Sequence, residues 1–513
     1  MGGLPWHFAG TVFVPAGTRR PESDNAHTGP YVKRLKAHST LRSVLTLAGG
    51  TALSQGLIVL ASPLLTRLYS PASFGAFTVF VSLLSVLSCV ATLRYELAIP
   101  LPKDDDEALT TCILSGAVTL FYTAATAVPL LFFSTAIAEL AGVPEIAPYL
   151  WLLPIGILGV GFYQSLYYWA VRCGEYPTIS RTRISQSLAM VVIQVSASFA
   201  GIAGLIFGQV ISRYVGISSL ARSRPSGTVI RAASSLPALR EQAFRYKSFP
   251  LWSAPGTLLN TVGAQAPMLA FAALFSSHIA GLYALTHRVL SIPITLIGTA
   301  MADVFFSNAS DAHRDGRLGH ITGNLLDKLV TFGLPIAVAL MLAGPDLFLI
   351  VFGPEWVEAG TLTTYATPWL FMALLASPVS RVFLVAARQK ELFALQVLQP
   401  CLGILVIAIA TAFRWEFLPT FILFSAVYTI FYALYLWRSL SIAAARLTDR
   451  VWPALRVGGI TALTTGLPYT FFSSMLPYEG QAHALLSLGL CLVLTLACYG
   501  VLLLSLRSSK QSD

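Results

Sequence analysis

The chain has 513 residues, of which 55% are hydrophobic and only 11% are charged, and its mean hydropathy is +0.71. Soluble globular proteins usually contain about 25% charged residues, so this composition excludes an ordinary water-soluble enzyme. The net charge of +10 comes from basic residues spread over many loops rather than from one basic stripe, and no nucleic-acid partner is expected.

Apolar runs that are nearly free of Asp, Glu, Lys and Arg follow one another from Ser43 to Leu506. A bilayer core about 30 Å thick needs about 20 helical residues to cross it, and lipid offers no partner for unpaired backbone groups. The sequence therefore predicts an all-α polytopic membrane protein with about 14 transmembrane helices. The expected spans are 43–66, 74–93, 108–132, 148–171, 184–202, 204–222, 251–273, 281–305, 325–344, 361–386, 392–412, 417–437, 454–476 and 485–506.

Residues 1–42 contain Pro, Gly and charges but no apolar run long enough for a signal-peptide core, and are predicted to be a flexible cytoplasmic leader. After it, basic residues cluster in alternate loops, which the positive-inside rule places in the cytoplasm together with both termini. The intervening loops carry almost only Arg67 and Arg414 as basic residues. The cytoplasmic clusters are Arg172, Arg181 and Arg183; Arg222, Arg224, Arg231, Arg240, Arg245 and Lys247; Arg314 and Arg317; Arg388 and Lys390; Arg438, Arg446 and Arg450; and Arg507 and Lys510.

Two long regions, one with a single charge and one with none, must reverse direction inside their length. Residues 184–221 would form a helix of about 57 Å and residues 248–287 one of about 60 Å, and neither fits a bilayer core of about 30 Å. We expect the first region to turn near Ala200 and Gly201, and the second between Phe275 and Ala280.

A faint internal repeat has an offset of 206 residues. Residues 50–54 (GTALS) match 256–260 (GTLLN), and residues 75–77 (GAF) match 281–283 (GLY). Helices one and two would then correspond to helices seven and eight, with an even number of crossings between the copies. This arrangement is a parallel repeat, as transporters often have.

Arg288 is the first candidate for a functional residue, because it lies about 7 residues, or about 10 Å, inside the eighth span. A guanidinium at that depth costs at least a few kcal/mol. No Asp or Glu occurs between Glu241 and Asp303, so an anionic ligand is the expected counter-charge. The alternative is an arginine that reaches the outer interface or bonds free backbone carbonyls. Arg213, roughly mid-depth in the sixth span, is a second candidate.

Arg94 and Glu96 follow the second span and are predicted to form an inner gate that breaks and re-forms, the alternative being a solvated salt bridge worth at most about 1 kcal/mol. Polar side chains at membrane depth suit a cavity that handles sugars, although each alone is equally typical of interhelical hydrogen bonding. The predicted cavity residues are Gln55, Gln164, Asn260 and Gln265.

No catalytic, metal-binding or nucleotide-binding motif is found, and the six cysteines have no CxxC spacing. We therefore expect no catalytic residue, no metal and no cofactor. Any driving force would come from a gradient, the membrane potential or consumption of the product.

Five segments carry a family resemblance: LLTRLYSPASFGAF from Leu64, ATLRYELAIPLPKDDDEA from Ala91, FRYKSFPLWSAPGTLLN from Phe244, GLYALTHRVLSIPITLIGTA from Gly281 and FGPEWVEAG from Phe352. Together they resemble the oligosaccharide flippases of polysaccharide biosynthesis, in the multidrug/oligosaccharidyl-lipid/polysaccharide exporter superfamily. Members translocate undecaprenyl-pyrophosphate-linked repeat units. The resemblance implies that cavity arginines hold the pyrophosphate, a role carried over only to Arg288, which lies in a matching segment. Arg213 is the second candidate for pyrophosphate binding because of its depth in the sixth span.

The resemblance also implies two six-helix lobes facing a central cavity that opens alternately to each side, plus two extra helices. The expected domains are a leader 1–42, an N-terminal lobe 43–222, a cytoplasmic linker 223–250, a C-terminal lobe 251–437, two additional C-terminal helices 438–506 and a cytoplasmic tail 507–513.

The leading hypothesis is a flippase of the bacterial plasma membrane whose partners are the lipid-linked glycan, membrane lipids, a polysaccharide polymerase and a chain-length regulator. A multidrug or cation exporter of the same superfamily is the alternative, but it would usually need an acid at mid-depth in spans one to six, which have none. A membrane glycan polymerase or ligase would be expected to have a long external loop with Arg and His, whereas His278 and His483 are isolated. A scaffold of the biosynthetic complex is the remaining alternative.

Overall fold

The computed structural model describes residues 37–222, 235–294, 312–445, 448–475 and 480–509, together with 298, 301, 302, 305 and 309. Every secondary-structure element in these ranges is helical, which confirms the predicted all-α class. The predicted leader lies outside the described residues as far as residue 36.

The first half of the chain contains α1 Ala37–Leu68, α2 Pro71–Ser88, α3 Asp105–Phe132, α4 Ser134–Leu140, α5 Leu152–Cys173, α6 Tyr176–Ser196, α7 Ile202–Ser212, α8 Ile217–Ala221 and α9 Leu236–Arg245. The second half contains α10 Ala254–Leu274, α11 Ser277–Pro293, α12 Leu318–Phe352, α13 Val357–Val379, α14 Val382–Val385, α15 Gln389–Ala412, α16 Phe417–Ile442, α17 Thr448–Thr461, α18 Leu467–Met475 and α19 Gln481–Ser509.

Ten helical segments of the described chain are long and apolar enough to cross a membrane, so the multi-pass character is confirmed, whereas the number 14 stays a prediction. The predicted spans 148–171 and 184–202 correspond to α5 and α6, which carry many polar and aromatic side chains. The span 281–305 corresponds in its described part to α11, which has 17 residues. The span 454–476 is interrupted by a π-helical turn at Ala462–Gly466, between α17 and α18.

Both predicted chain reversals are confirmed. Helix α6 ends at Ser196 and α7 begins at Ile202, and Gly201 between them has a φ of +57°, which a residue without a Cβ adopts at little cost. Helix α10 ends at Leu274, and α11 begins after Ser276, whose hydroxyl accepts a hydrogen bond from the Ile279 N–H at 3.2 Å. This N-cap satisfies one of the free donors of the first turn.

The chain divides into two compact units. Unit 1 contains the described residues up to Ala61 together with Phe77–Gln265, and unit 2 contains Ser62–Ala76 together with the described residues from Ala266 onward. The end of α1 and the start of α2 therefore belong to unit 2, and α10 contributes to both units.

The core of unit 1 is formed largely by α3, α5 and α6. The hydroxyls of Ser115 on α3 and Ser165 on α5 are 2.7 Å apart and fully buried. Between the same helices, a Cβ added to Gly161 would overlap the Thr119 side chain, so the glycine permits the close approach. Small residues and interhelical hydrogen bonds are the usual means of helix association in a bilayer, where apolar burial provides no driving force.

The core of unit 2 contains an aromatic cluster built by α10, α11, α13 and α16. Phe424 stacks on Tyr428 with ring centroids 4.2 Å apart, and Trp369 meets both rings edge-on. At the other end of the unit, Asp346 on α12 accepts hydrogen bonds from Ser487 on α19 and from Tyr469 on α18. This carboxylate thus joins the C-terminal helices to α12.

The segment Ser62–Ala76 is held to the rest of unit 2 by several polar contacts. The Trp356 indole N–H donates to the Thr66 carbonyl at 2.9 Å, and Arg67 donates to the Ile350 carbonyl at 3.0 Å. The ring of Phe74 packs edge-on against Trp356 with centroids 5.4 Å apart. Thr66 thus contributes its backbone carbonyl to this contact, while its hydroxyl donates to the Pro63 carbonyl at 3.1 Å.

Candidate functional site

Arg288 lies on α11 in unit 2, and its partners among the described residues are neutral. Its guanidinium donates to the Ser62 hydroxyl at 3.1 Å and lies over the Phe74 ring, 5.5 Å from its centroid. Within the described part of the chain, no carboxylate is within salt-bridge distance of Arg288. A cation–π contact is worth about 0.5–2 kcal/mol and leaves the charge in place. The site can therefore attract an anion.

Arg213 follows α7 in unit 1 and is half-buried. Its backbone carbonyl accepts a hydrogen bond from the Gln186 amide at 3.1 Å, which fixes the chain at this point. Its side-chain Nε is buried and makes no hydrogen bond to any described residue. Buried donors are usually satisfied, so an unmet guanidinium N–H is a place where a ligand oxygen can bind.

The predicted cavity residues are not joined to one another among the described residues. Gln265 on α10 accepts a hydrogen bond from Ser82 on α2 at 3.1 Å. The amide oxygen of Gln164 is buried without a hydrogen-bond partner in the described structure. Gln55 on α1 and Asn260 on α10 have exposed side chains. Their grouping as cavity residues stays a prediction.

Arg94 and Glu96 form an ion pair of 3.1 Å in which the Glu96 side chain is only 1% exposed and that of Arg94 is 23% exposed. The alternative, a salt bridge in which both side chains are solvated, is therefore wrong for Glu96, whose carboxylate is buried. The physical reason is local: Leu93 and Arg94 adopt left-handed backbone angles, with φ of 48° and 65°, and turn the short helix Tyr95–Ala98 inward against α3. The Thr92 hydroxyl also donates to Glu96.

Burial raises the pKa of the Glu96 carboxyl above its ordinary value, and the charge of Arg94 and the Thr92 hydrogen bond act in the opposite direction. Such a carboxyl binds a proton more tightly in the folded protein than in the unfolded chain. The contribution of Glu96 to stability is therefore largest below the pKa that this carboxyl has in the unfolded chain. It decreases as the pH rises from that value toward the higher pKa of the folded protein.

Replacing Arg94 with glutamine is expected to destabilise the protein by about 3 kcal/mol at pH 8, because one partner of a buried ion pair is left alone. The pKa of Glu96 then rises further, and the neutral acid needs no counter-charge, so the loss should shrink toward pH 5. Thermal unfolding of the purified protein at both pH values measures this difference. The double variant R94Q/E96Q should recover part of the loss at pH 8. An equal loss at both pH values would contradict the buried pair.

One residue that sequence reasoning assigned only to a cytoplasmic cluster is Arg183. Helix α6 begins at Tyr176, so Arg183 lies two turns inside it, where it contacts Thr51 on α1 and the Tyr167 ring on α5. The sequence feature that could have drawn attention to this region is the pair Tyr163 and Tyr167. Their four-residue spacing places two aromatic rings on one face of a helix.

The comparisons with known proteins agree with this architecture. A family model for polysaccharide biosynthesis proteins matches residues 64–361, which is more than half of the chain. The succinoglycan biosynthesis transport protein ExoT of Rhizobium meliloti (strain 1021) is 26% identical over 314 residues, covering 59% of this chain. The chain spans 60% of the length of that relative.

Two solved structures share the fold at 14% sequence identity. The lipid II flippase MurJ in an inward closed conformation has a TM-score of 0.67, with 90% of this chain and 99% of that chain covered. An inward-facing multidrug resistance MATE family transporter of the MOP superfamily has a TM-score of 0.60, with 81% of this chain and 98% of that chain covered. The match of the family model over more than half of the sequence establishes that this chain belongs to the polysaccharide biosynthesis protein family.

Proposed function

We propose that the protein is a flippase that moves undecaprenyl-pyrophosphate-linked oligosaccharide repeat units across the bacterial plasma membrane by alternating access. The product would serve assembly of a polysaccharide such as an O-antigen or an exopolysaccharide. Membership of the polysaccharide biosynthesis family and the resemblance to a succinoglycan transport protein support this proposal. The fold shared with a lipid II flippase is compatible with it.

The observation that carries the proposal is the charge of Arg288, which no carboxylate of the described residues neutralises. An arginine in an apolar helix costs about 2.5–3.5 kcal/mol at the bilayer centre, and Ser62 and Phe74 leave its charge uncompensated. A diphosphate offers oxygen atoms with the spacing that a planar guanidinium binds bidentately. The cargo thus supplies the counter-charge that the described part of the protein does not place beside Arg288.

In this mechanism the glycan crosses in a hydrated cleft while the polyprenyl tail stays in the lipid. Transfer of each sugar hydroxyl into hydrocarbon would cost about 4–8 kcal/mol on an alkane scale, and polar side chains lower that cost by replacing water. Gln164, whose amide oxygen is buried without a described partner, is suited to this role. Both termini would lie in the cytoplasm. A polymerase and a chain-length regulator are the expected partners in assembly.

A multidrug or cation exporter is the second candidate, because a MATE family transporter has the same fold. A cationic cargo would need an accessible acid. Glu96 is a buried acid in unit 1, but its charge is matched by Arg94. This pairing favours an anionic cargo over a cationic one. A glycan polymerase or ligase is less favoured, since the family relative is named as a transport protein.

Reconstitution into liposomes tests the proposal directly. A fluorescently labelled undecaprenyl-pyrophosphate oligosaccharide is placed in both leaflets, and a membrane-impermeant quencher reports how quickly the inner-leaflet fraction becomes accessible. We expect the purified protein to accelerate this exchange at least tenfold over protein-free vesicles. Transport of ethidium together with no acceleration for the lipid-linked oligosaccharide would instead support the exporter.

A further inference from the structure

A second arginine lies in an aromatic setting in unit 1. The half-buried Arg183 on α6 donates from its guanidinium to the Thr51 hydroxyl on α1. The guanidinium carbon is 5.2 Å from the centroid of the Tyr167 ring on α5, and Tyr163, one turn earlier on α5, approaches the same group. The centroids of the two tyrosine rings are 6.1 Å apart, so they form a continuous aromatic surface beside the charge.

All of these partners are neutral, and no described carboxylate is within salt-bridge distance of Arg183. Tyr163 also interacts electrostatically with Arg213, whose buried Nε has no hydrogen-bond partner among the described residues. Arg183 and Arg213 thus both act on Tyr163, and neither arginine forms an ion pair with a described carboxylate.

Helix packing alone does not account for the arginine. The hydroxyls of Ser54 on α1 and Ser187 on α6 are 2.5 Å apart and buried, and Ser54 also contacts the Arg183 carbonyl oxygen at 3.3 Å. These contacts join the two helices without the Arg183 side chain. A glutamine at position 183 would keep a neutral side-chain donor toward Thr51 without the cost of burying a charge.

We propose that Arg183, together with Tyr163 and Tyr167, forms a subsite for an anionic oxygen group of the transported molecule. The guanidinium would pair with the anionic group, and the tyrosine rings would contact the apolar face of the adjoining sugar. This inference rests on the proposed function, and it identifies the cargo further as one that presents a negative charge to unit 1. The anionic group has two possible sources, an acidic sugar of the glycan or the diphosphate of the carrier.

Ligand binding to the full-length protein in detergent distinguishes these sources. The probes are trigalacturonate as an acidic glycan, maltotriose as a neutral one and farnesyl pyrophosphate as the carrier diphosphate, with affinities measured by microscale thermophoresis. The variants are R183Q, R183K and Y167L, and the matched control is R181Q, an exposed arginine on the same helix. Thermal unfolding verifies that each variant is folded, and R183K keeps the test valid if R183Q is not.

We expect R183Q to bind one of the two anionic probes at least tenfold more weakly than the wild type does, and R183K to show a smaller loss. The affinities of R181Q for all probes, and of every variant for maltotriose, should stay within twofold of the wild-type values. Weakening of trigalacturonate assigns an acidic sugar to the subsite, and weakening of farnesyl pyrophosphate assigns the carrier. Two results would overturn the inference: both anionic affinities unchanged in R183Q, or no binding of either anionic probe to the wild type. If the R183 variants also flip the lipid-linked oligosaccharide normally, the inference fails while the proposed function stands.

Discussion

Replacing Arg288 with glutamine is expected to reduce transport of a lipid-linked oligosaccharide about a hundredfold, while the protein remains folded in the membrane. Glutamine keeps a donor for Ser62 but removes the positive charge, so the diphosphate loses its counter-charge. Hydrogen bonds to charged groups contribute about 1.5–3 kcal/mol, and about 2.8 kcal/mol corresponds to a hundredfold change. Lysine keeps the charge but cannot bind two phosphate oxygens in one plane, so R288K should lose about tenfold.

The measurement is the initial rate of exchange in the liposome assay, normalised to the amount of protein inserted. The matched control is R317Q, because Arg317 is 68% exposed and pairs with Asp315 at the surface, an interaction worth at most about 1 kcal/mol. R317Q should transport at the wild-type rate. A rate for R288Q within threefold of the wild type would remove the electrostatic basis of the proposed function.

The all-α fold and its reversals could be predicted because bilayer thickness limits the length of an apolar helix. The turns at Gly201 and Ser276 follow from apolar runs, with one charge and none respectively, that are too long for one crossing. The π-helical turn at Ala462–Gly466 within the span 454–476 could not be predicted in this way, since hydropathy measures composition and does not respond to such a turn. Helices α5 and α6 likewise carry polar groups that lower their hydropathy, although they are helical as expected.

The candidate site was predictable only where charge and depth were both evident in the sequence. Arg288 stands out because acids are missing from its neighbourhood, and its neutral partners are consistent with that prediction. The burial of Glu96 depends on left-handed backbone angles at Leu93 and Arg94, two residues that rarely adopt them. The sequence pattern RYE therefore predicted a gate or a solvated salt bridge but not the burial of the carboxylate, and the gate stays a prediction. Arg183 was assigned to a loop because the positive-inside rule counts basic residues but does not measure their depth.

The internal repeat leads to a prediction about packing. The offset of 206 residues pairs Gly75 with Gly281 in the sequence, and the structure places these two glycines against each other where the first turns of α2 and α11 meet in unit 2. A Cβ added to Gly281 would overlap the Pro71 carbonyl oxygen, and one added to Gly75 would overlap the Ser277 carbonyl oxygen. The two backbones touch because neither residue has a side chain.

Replacing Gly281 with alanine is therefore expected to destabilise the protein by about 3 kcal/mol or more, and Gly75→Ala should do the same. Overpacking normally costs about 1–3 kcal/mol, but here the obstructing atoms are backbone carbonyls that cannot change rotamer. The helices must separate, which also strains the contacts that hold Ser62–Ala76 to unit 2, among them the Trp356 hydrogen bond to Thr66. The midpoint of thermal unfolding in detergent and the amount of protein in the membrane measure the loss.

Alanine at Gly49 on α1 and at Gly256 on α10 provides the matched control, because a Cβ added at either position meets no heavy atom within 4 Å. In those helices the substitution should be neutral or stabilising by up to about 1 kcal/mol, since alanine loses less conformational entropy than glycine on folding. The sign of the effect should thus differ between the two pairs of glycines, although the chemical change is identical. If Gly281→Ala proved as stable as Gly256→Ala, the close crossing of α2 and α11 would not be a requirement of the fold.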